Sequence, residues 1–592
     1  MYFDGRTANY EKEPYLEITQ KDAQAFWGFV EIADCLKMKI EQLQKERVIV
    51  VIDYYHGVRQ KEIEKLIDLI APDQSIFCET AKIEEEILGQ LLHHHITDDR
   101  VFGILGMHTM SEFYDKKRQE ELQKEIEQFQ KGVLIVYGVG ASLFAKPDLL
   151  VYGDLSRWEI QLRYRSGELD NWGVGNYDED ILRKYKRGYF VEWRMLDRHK
   201  VQIFDQIDFL LDTNVKGDPK MINKVTFDQI MEQFSKQPFR LVPYFDEGIW
   251  GGRWMEEVCQ LERKENNFAW CFDGVPEENS IHAKIGDIII EMPAMNLVKR
   301  KPKELLGRKV FSRFGAEFPI RFDFLDTMGG GNLSLQVHPL TEYIQQNFGM
   351  HYTQDESYYI LDADEGACVY LGVKDGVTAD QLIPALEKAQ EGDELFDAEK
   401  YINKIPIKKH DHVLIPAGTI HCSGSDAMVL EISATPYIFT MKLWDWGRVG
   451  LDGKPRPVNI ERGSHSIQYD RTTKWVKDNL ISDIKVLEDT KDLKVEKTGL
   501  HELEFIETKR YWFDKKTTFN TEESVNMLNL IEGEEAVITS VDGSFEPYVV
   551  HYAETFIVPE CVGEYEITPC GRSENKQIAV IKATVQVERR KI

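Results

Sequence analysis

The stretch Leu333–Pro339, LSLQVHP, decides how the second half of the chain is read. Gln336 and His338 stand two residues apart, so on an extended strand both side chains leave the same face. Two later stretches complete the set. DESYYI, starting at Asp355, places Glu356 at the start of the next strand, and PAGTIHCSG, starting at Pro416, places His421 in a turn after a strand ending at Pro416. Two imidazoles, a carboxylate and an amide oxygen can close around one divalent ion. The imidazole-rich set favours Zn2+, one per chain, with Fe, Mn or Co also compatible and water completing an open shell. Each residue alone is ordinary on a strand; the three strings in this order are not.

Around these strings the texture is one of short strands punctuated by Gly and Pro. Ile288–Ile290, Leu333–Val337, Tyr358–Leu361, Val369–Leu371, Val413–Pro416 and Met428–Ile432 follow one another in this way, which reads as a β-barrel or sandwich over residues 239–480. A helical insert, 379–404, interrupts it. A second β-rich segment, 481–592, ends in IAVIKATVQV. Its FIVPECVGEYEI (Phe556–Ile567) has the rhythm of PAGTIH without the histidine, so this segment is expected to be metal-free and supporting, with His551 structural. Residues 1–238 alternate instead between strands (Val48–Ile52, Val101–Leu105, Val133–Tyr137, Leu149–Tyr152, Ile207–Leu211) and helices (Lys61–Ile70, Ala81–Leu92, Ser111–Lys131), the pattern of an α/β layered domain. The expected fold class is therefore multi-domain, α/β followed by two all-β barrels.

Composition narrows the partners. With 73 Lys plus Arg against 101 Asp plus Glu the net charge is −28, which opposes nucleic acid and anionic membrane as partners but leaves a small anionic substrate open. No apolar run is long enough to cross a bilayer, and the first residues resemble neither a secretory signal nor a transit peptide. Eight scattered cysteines without a CxxC read as reduced thiols. A cytoplasmic protein is expected.

YFDEGIWGG (Tyr244–Gly252), LQVHP, the acidic strand, PAGTIH, LEI and LWDWGR (Leu443–Arg448) occur in the order found in class I mannose-6-phosphate isomerases, and residues 241–470 resemble that family. The resemblance implies a two-barrel cupin with Zn2+ on Gln336, His338, Glu356 and His421. It also implies interconversion of mannose 6-phosphate and fructose 6-phosphate through a cis-enediol. Carried over by position, Glu431 in VLEIS matches a proposed acid/base carboxylate, Lys442 falls where the family has an arginine, and Arg448 matches a further arginine. Three departures stand out. Gln354 and Asp323 occupy positions where the family usually has lysine, and Lys442 lacks the planar fork of the arginine it replaces. Losing cations should weaken a pocket for a phosphate dianion, which points to an unphosphorylated or different sugar as the alternative substrate, or to a sugar sensor without chemistry.

In the first domain, GVLIVYGVGASLF, DLLVYGDLSRWEIQLRYRSG and Tyr185–Lys200 (YKRGYFVEWRMLDRHK) resemble the later half of a P-loop nucleoside kinase of the uridine kinase type. The strand exit from Asp53, DYYHGVRQKEIEKL, lacks the glycine-rich loop and the Lys-Ser/Thr pair that cradle phosphate, so a degenerate kinase-like domain is expected. Gly138–Ser142 (GVGAS) is read as a tight strand–helix turn and His93–His95 as a helix end.

Overall fold

The computed structural model describes residues 8–587 apart from 393, 437, 438, 452, 454, 455, 457 and 500. Contacts divide the chain into two compact units that do not follow the three segments drawn from sequence. One takes the chain up to Pro14, Ser235–Asn279 and everything from Pro302; the other takes Tyr15–Phe234 and Ser280–Lys301.

The second unit is a layered α/β structure. Five parallel strands lie in the order Gln74–Phe77, Gly132–Gly138, Arg47–Tyr54, Leu149–Asp154, Phe209–Asp212, and Lys220–Asn223 and Ala25–Trp27 extend the sheet antiparallel. The central strand, RVIVVIDY, is buried along seven of its eight residues, as a strand covered on both faces must be. Val101–Leu105, expected as a strand, is a loop. Gly103 explains the misreading: its backbone runs so close to the carbonyl oxygen of His95 that a Cβ would lie 2.6 Å from it, and Ile104 N–H bonds that carbonyl instead of a sheet neighbour. The segment around Ile288–Ile290, read as part of the barrel, is likewise in this unit: Ser280–Ile285 and Ile288–Pro293 form a hairpin that Tyr15–Glu17 joins in parallel.

The GVGAS turn is closed from within. The Asp53 carboxylate, at the end of the central strand, accepts Gly140 N–H at 2.8 Å, Ser142 N–H at 3.1 Å, the Ser142 hydroxyl at 2.6 Å and His199 Nε2 at 2.9 Å. The amides that a phosphate would need are already occupied by a side chain.

The first unit holds two double-layered β structures, the nearer and the farther by their order along the chain. In the nearer one, a six-stranded sheet (His412–Ile415, Glu356–Ala363, Ala427–Ala434, Ile320–Asp326, Phe268–Gly274, Tyr244–Gly252) faces a five-stranded sheet (Ile402–Pro406, Cys368–Val373, His421–Ser423, Leu335–Val337, Met441–Trp444). The insert supplies the helix Ala379–Glu391, opened by a Thr378/Gln381 capping box, and the short helix Ala398–Tyr401 before its last residues enter the five-stranded sheet. The farther structure sets a six-stranded sheet (Lys485–Asp489, Leu493–Gly499, Ile506–Phe513, Ile578–Val585, Asn526–Glu532, Thr555–Val558) against a four-stranded one (Thr517–Asn520, Glu564–Pro569, Glu535–Ser540, Tyr548–His551). Arg510 joins the two, donating to the Tyr359 hydroxyl and the His410 carbonyl. All eight cysteines are free thiols. Among the described residues, no helix is long and apolar enough to cross a membrane.

Candidate metal centre

Strand register builds the site. Residues directly opposite on antiparallel strands send their side chains to the same face. Gln336 is opposite both His421 and Lys442, which puts these three in one row on the inner face of the five-stranded sheet. On the facing sheet, Glu356 is opposite Ser433, and Ser433 is opposite Arg321; two residues on, Tyr358, Glu431 and Asp323 form a parallel row. Period-two alternation thus brings residues from six strands to one interior.

His338, Glu356 and His421 converge. Their ligand atoms lie within 4.8 Å of one another and all three residues are buried. Glu356 Oε2 is 2.9 Å from His338 Nε2 and its Oε1 is 2.7 Å from His421 Nε2. Each imidazole is oriented from behind: Nδ1 of His338 faces the Phe439 carbonyl at 3.3 Å and Nδ1 of His421 the Thr419 carbonyl at 2.8 Å. A carbonyl oxygen requires the proton on Nδ1, so in the neutral ring Nε2 points its lone pair inward. Gln336 closes the set with its amide 3.2 Å from His421 Nε2, and turning that amide by 180° presents the oxygen there.

A divalent cation fits this donor set. His338 Nε2 and Glu356 Oε1 are buried without a hydrogen-bond partner, and lone pairs crowded this closely need positive charge between them.

Beside the ligands lies a second charged group. Glu431 Oε1 accepts from Ser433 Oγ at 2.9 Å and from Arg321 Nη1 and Gln354 Nε2, each at 3.3 Å. Burial, then Asp323 and Glu356, push Glu431 well above the usual carboxylate range. Asp323 is pushed up to about 7, chiefly by burial, even though Arg321 Nε lies 3.4 Å from its Oδ1. Gln354 bridges the two functions, its Nε2 also donating to Glu356 Oε2 at 3.1 Å.

Lys442 and Arg448 are separated by the turn after Met441–Trp444. Lys442 is half-buried in the row with Gln336, and no residue among those described pairs with its ammonium. Burial and then the Arg456 guanidinium push it down to about 7. Arg448 is held outside that row by Asp445, at 2.8 Å, and Asp445 also binds Arg456 at 3.1 Å. The glycine-rich loop beneath is a close approach: a Cβ on Gly330 would lie 2.4 Å from the Trp250 carbonyl oxygen.

Three neighbours escaped the sequence reading. Arg321, Ser433 and Tyr358 each lie two residues from a residue that it had singled out, on the same strand and therefore the same face. Alternation alone points to them. Tyr358 packs its ring 5.9 Å from that of His421.

Comparison with known proteins finds similarity over part of the chain. Mannose-6-phosphate isomerase ManA of Bacillus subtilis (strain 168) is 24% identical over 233 residues, 39% of this chain and 68% of its own length. Mannose-6-phosphate isomerase of Streptococcus mutans serotype c is 25% identical over 230 residues, 38% of this chain and 66% of its own length. About 39% of the chain is homologous to mannose-6-phosphate isomerases. The match thus spans about two thirds of these relatives. The crystal structure of the mannose 6-phosphate isomerase from Bacillus subtilis superposes with a TM-score of 0.47 at 19% identity, covering 59% of this chain and 99% of that one. Residues 28–236 match a family described as Domain of unknown function (DUF8485). That match gives the nucleoside kinase resemblance no support.

Proposed function

We propose that the barrel around His338, Glu356 and His421 is a metal-dependent aldose–ketose isomerase, and that its substrate pair is mannose 6-phosphate and fructose 6-phosphate. One observation carries the reading: a cation-ready donor set and a buried carboxylate, Glu431, face the same interior, linked through Gln354. Gln336, His338, Glu356 and His421 would hold the ion, Zn2+ by the chemistry of the donors. When bound it supplies the positive charge that polarises a sugar carbonyl and steadies the developing enediolate.

The remaining work falls to side chains. Glu431, its carboxyl pushed well above the usual range by burial, takes the proton from one carbon and returns it to the next. Arg321 and Ser433 fix the rotamer from which it does so. Lys442 brings to the inner face an amine that burial pushes down to about 7 and that a bound anion would favour in its charged form, and Arg448 with Arg456 adds positive charge beyond it; together they favour an anionic sugar.

A second substrate class is favoured by a specific observation. The cation on the opposite wall, Arg321, is shared between Asp323 and Glu431, so that wall presents carboxylates rather than the lysines of the family pattern. An unphosphorylated sugar would suit it better.

The test is a coupled assay of the Zn-loaded protein with mannose 6-phosphate and, in parallel, free mannose in D2O. Turnover of the phosphate ester with deuterium entering C2, abolished by chelator, supports the reading. Turnover of the free sugar alone transfers the activity to the second class. Saturable sugar binding without deuterium entry at C2 would reject both in favour of a sensor.

A further inference from the structure

The α/β unit carries an imidazole cluster that the barrel's chemistry does not use. His95 ends the helix Glu85–Ile96, and His108 lies on the loop that follows. Their ring centroids are 5.0 Å apart, the same separation as His338 and His421 in the barrel. That is the spacing of two imidazoles sharing one tetrahedral ion, roughly 5 Å for Zn–N bonds of about 2.0–2.1 Å. His94 lies alongside, its ring 5.3 Å from that of His95.

Both rings are anchored through Nδ1, as metal-bound histidines are. Nδ1 of His95 faces the Ile104 carbonyl at 3.1 Å, and Nδ1 of His108 faces the Glu112 carboxylate at 2.8 Å. Glu112 is itself fixed by a capping box with Thr109. Nε2 of His108 is therefore a free donor, buried with no hydrogen-bond partner, while His95 also makes a backbone contact with Leu105. An orphaned ring nitrogen on a side chain only 13% exposed calls for a ligand.

The loop that brings His108 to His95 is held by hydrogen bonds. Ile104 N–H donates to the His95 carbonyl, Gly106 N–H to that of Phe190, and Arg198 Nη2 to the carbonyls of Gly106 and His108. Gly103 permits the approach, since any side chain there would strike the His95 carbonyl and the Phe190 ring.

We propose that His95 and His108 form a second metal site, separate from the barrel centre, for an imidazole-preferring divalent ion such as Zn2+, Ni2+ or Cu2+. Solvent completes its shell on the side where His94 is exposed. All-nitrogen donors disfavour Ca2+ and Mg2+, which take oxygen ligands.

Equilibrium dialysis of the full chain against Zn2+ alone tests this. The His95→Ala/His108→Ala protein is expected to hold one equivalent fewer than wild type. The His338→Ala/His421→Ala protein should lose a different equivalent, leaving the one that depends on His108. Equal stoichiometry in wild type and His95→Ala/His108→Ala overturns the proposal. Should that pair unfold, His108→Gln keeps a polar side chain of similar reach, and Zn2+ affinity at this site should fall at least about tenfold. Unchanged affinity in His108→Gln also overturns it.

Discussion

The two β structures of the first unit share an architecture and differ in what fills it. In the nearer one, the interior rows are Gln336, His421 and Lys442 on one sheet and Glu356, Ser433, Arg321, Glu431 and Asp323 on the other. In the farther one, the equivalent space is packed with Phe513, Phe519, Leu528, Leu530, Ile538, Phe556, Tyr565, Ile567 and Val580. A sheet pair closed by apolar side chains is stabilised by its own contents, each such residue contributing about 1.5–3 kcal/mol. One filled by carboxylates and cations must be held by its surroundings. The farther structure supplies part of that hold: Arg510 reaches across to Tyr359, and Thr555 N–H reaches Asp273.

If that division is right, damage to the two interiors should register in different measurements. His421→Ala should abolish metal retention and turnover together, turnover by about a thousandfold or more, since the ion supplies several kcal/mol at the transition state. Metal content and rate are measured on the same sample, and an active metal-free variant would break the proposed mechanism. Glu431→Gln should retain the ion and lose turnover by about 10²–10⁴-fold with deuterium exchange at C2, because only the proton-moving group is gone. Phe556→Ala does the reverse. It should lower unfolding free energy by about 3–5 kcal/mol through the cavity it leaves, with Zn2+ affinity unchanged. A loss of Zn2+ affinity in that variant would show that the two interiors are coupled.

Asp273 sharpens the comparison at the seam. Its Oδ2 accepts from the Tyr10 hydroxyl and Thr555 N–H, Oδ1 has no hydrogen-bond partner, and burial pushes the carboxyl up to about 6. A folded pKa raised from 3.8 means that its stabilising contribution is complete below the unfolded value and is lost as pH rises through about 6. Asp273→Asn removes the cost of ionisation. It should raise the urea midpoint over wild type at pH 8 but not at pH 4, by an amount worth roughly 2–3 kcal/mol. A difference independent of pH would mean that Asp273 stays ionised throughout.

How much of this was legible in sequence depended on the range over which each signal acts. The ligand strings each lie within one strand or turn, so spacing alone put Gln336 with His338 and flagged Glu356 and His421. Alternation from Asp323 puts Arg321 on the inner face, but its role comes from Glu431, 110 residues away. The Ser280–Pro293 hairpin reads as barrel texture, and its pairing with Tyr15–Glu17 and the bond from Glu291 N–H to Asp212 send it to the other unit. Val101–Leu105 has strand composition, but Gly103 ties it to a helix end. His108 carried no signal at all until folding placed it beside His95. Apolar alternation declares a barrel; what lines its floor is decided by register between distant strands.

The smallest effect asks which sugar the polar interior is built for. Lys442 sits opposite Gln336 and, among the described residues, in ion-pair contact with no carboxylate, whereas Arg321 on the facing sheet is divided between two carboxylates. Charges a few ångströms apart near a protein surface interact by about 1–4 kcal/mol, so Lys442, once charged beside the anion, is worth about a decade in affinity for a phosphate dianion. Lys442→Met should therefore raise KM for mannose 6-phosphate about tenfold and leave that for free mannose nearly unchanged. Equal losses for both sugars would place Lys442 at the reacting carbons instead. No change for either would leave the phosphate to Arg448 and Arg456, outside the row, and would make the inner wall neutral in effect.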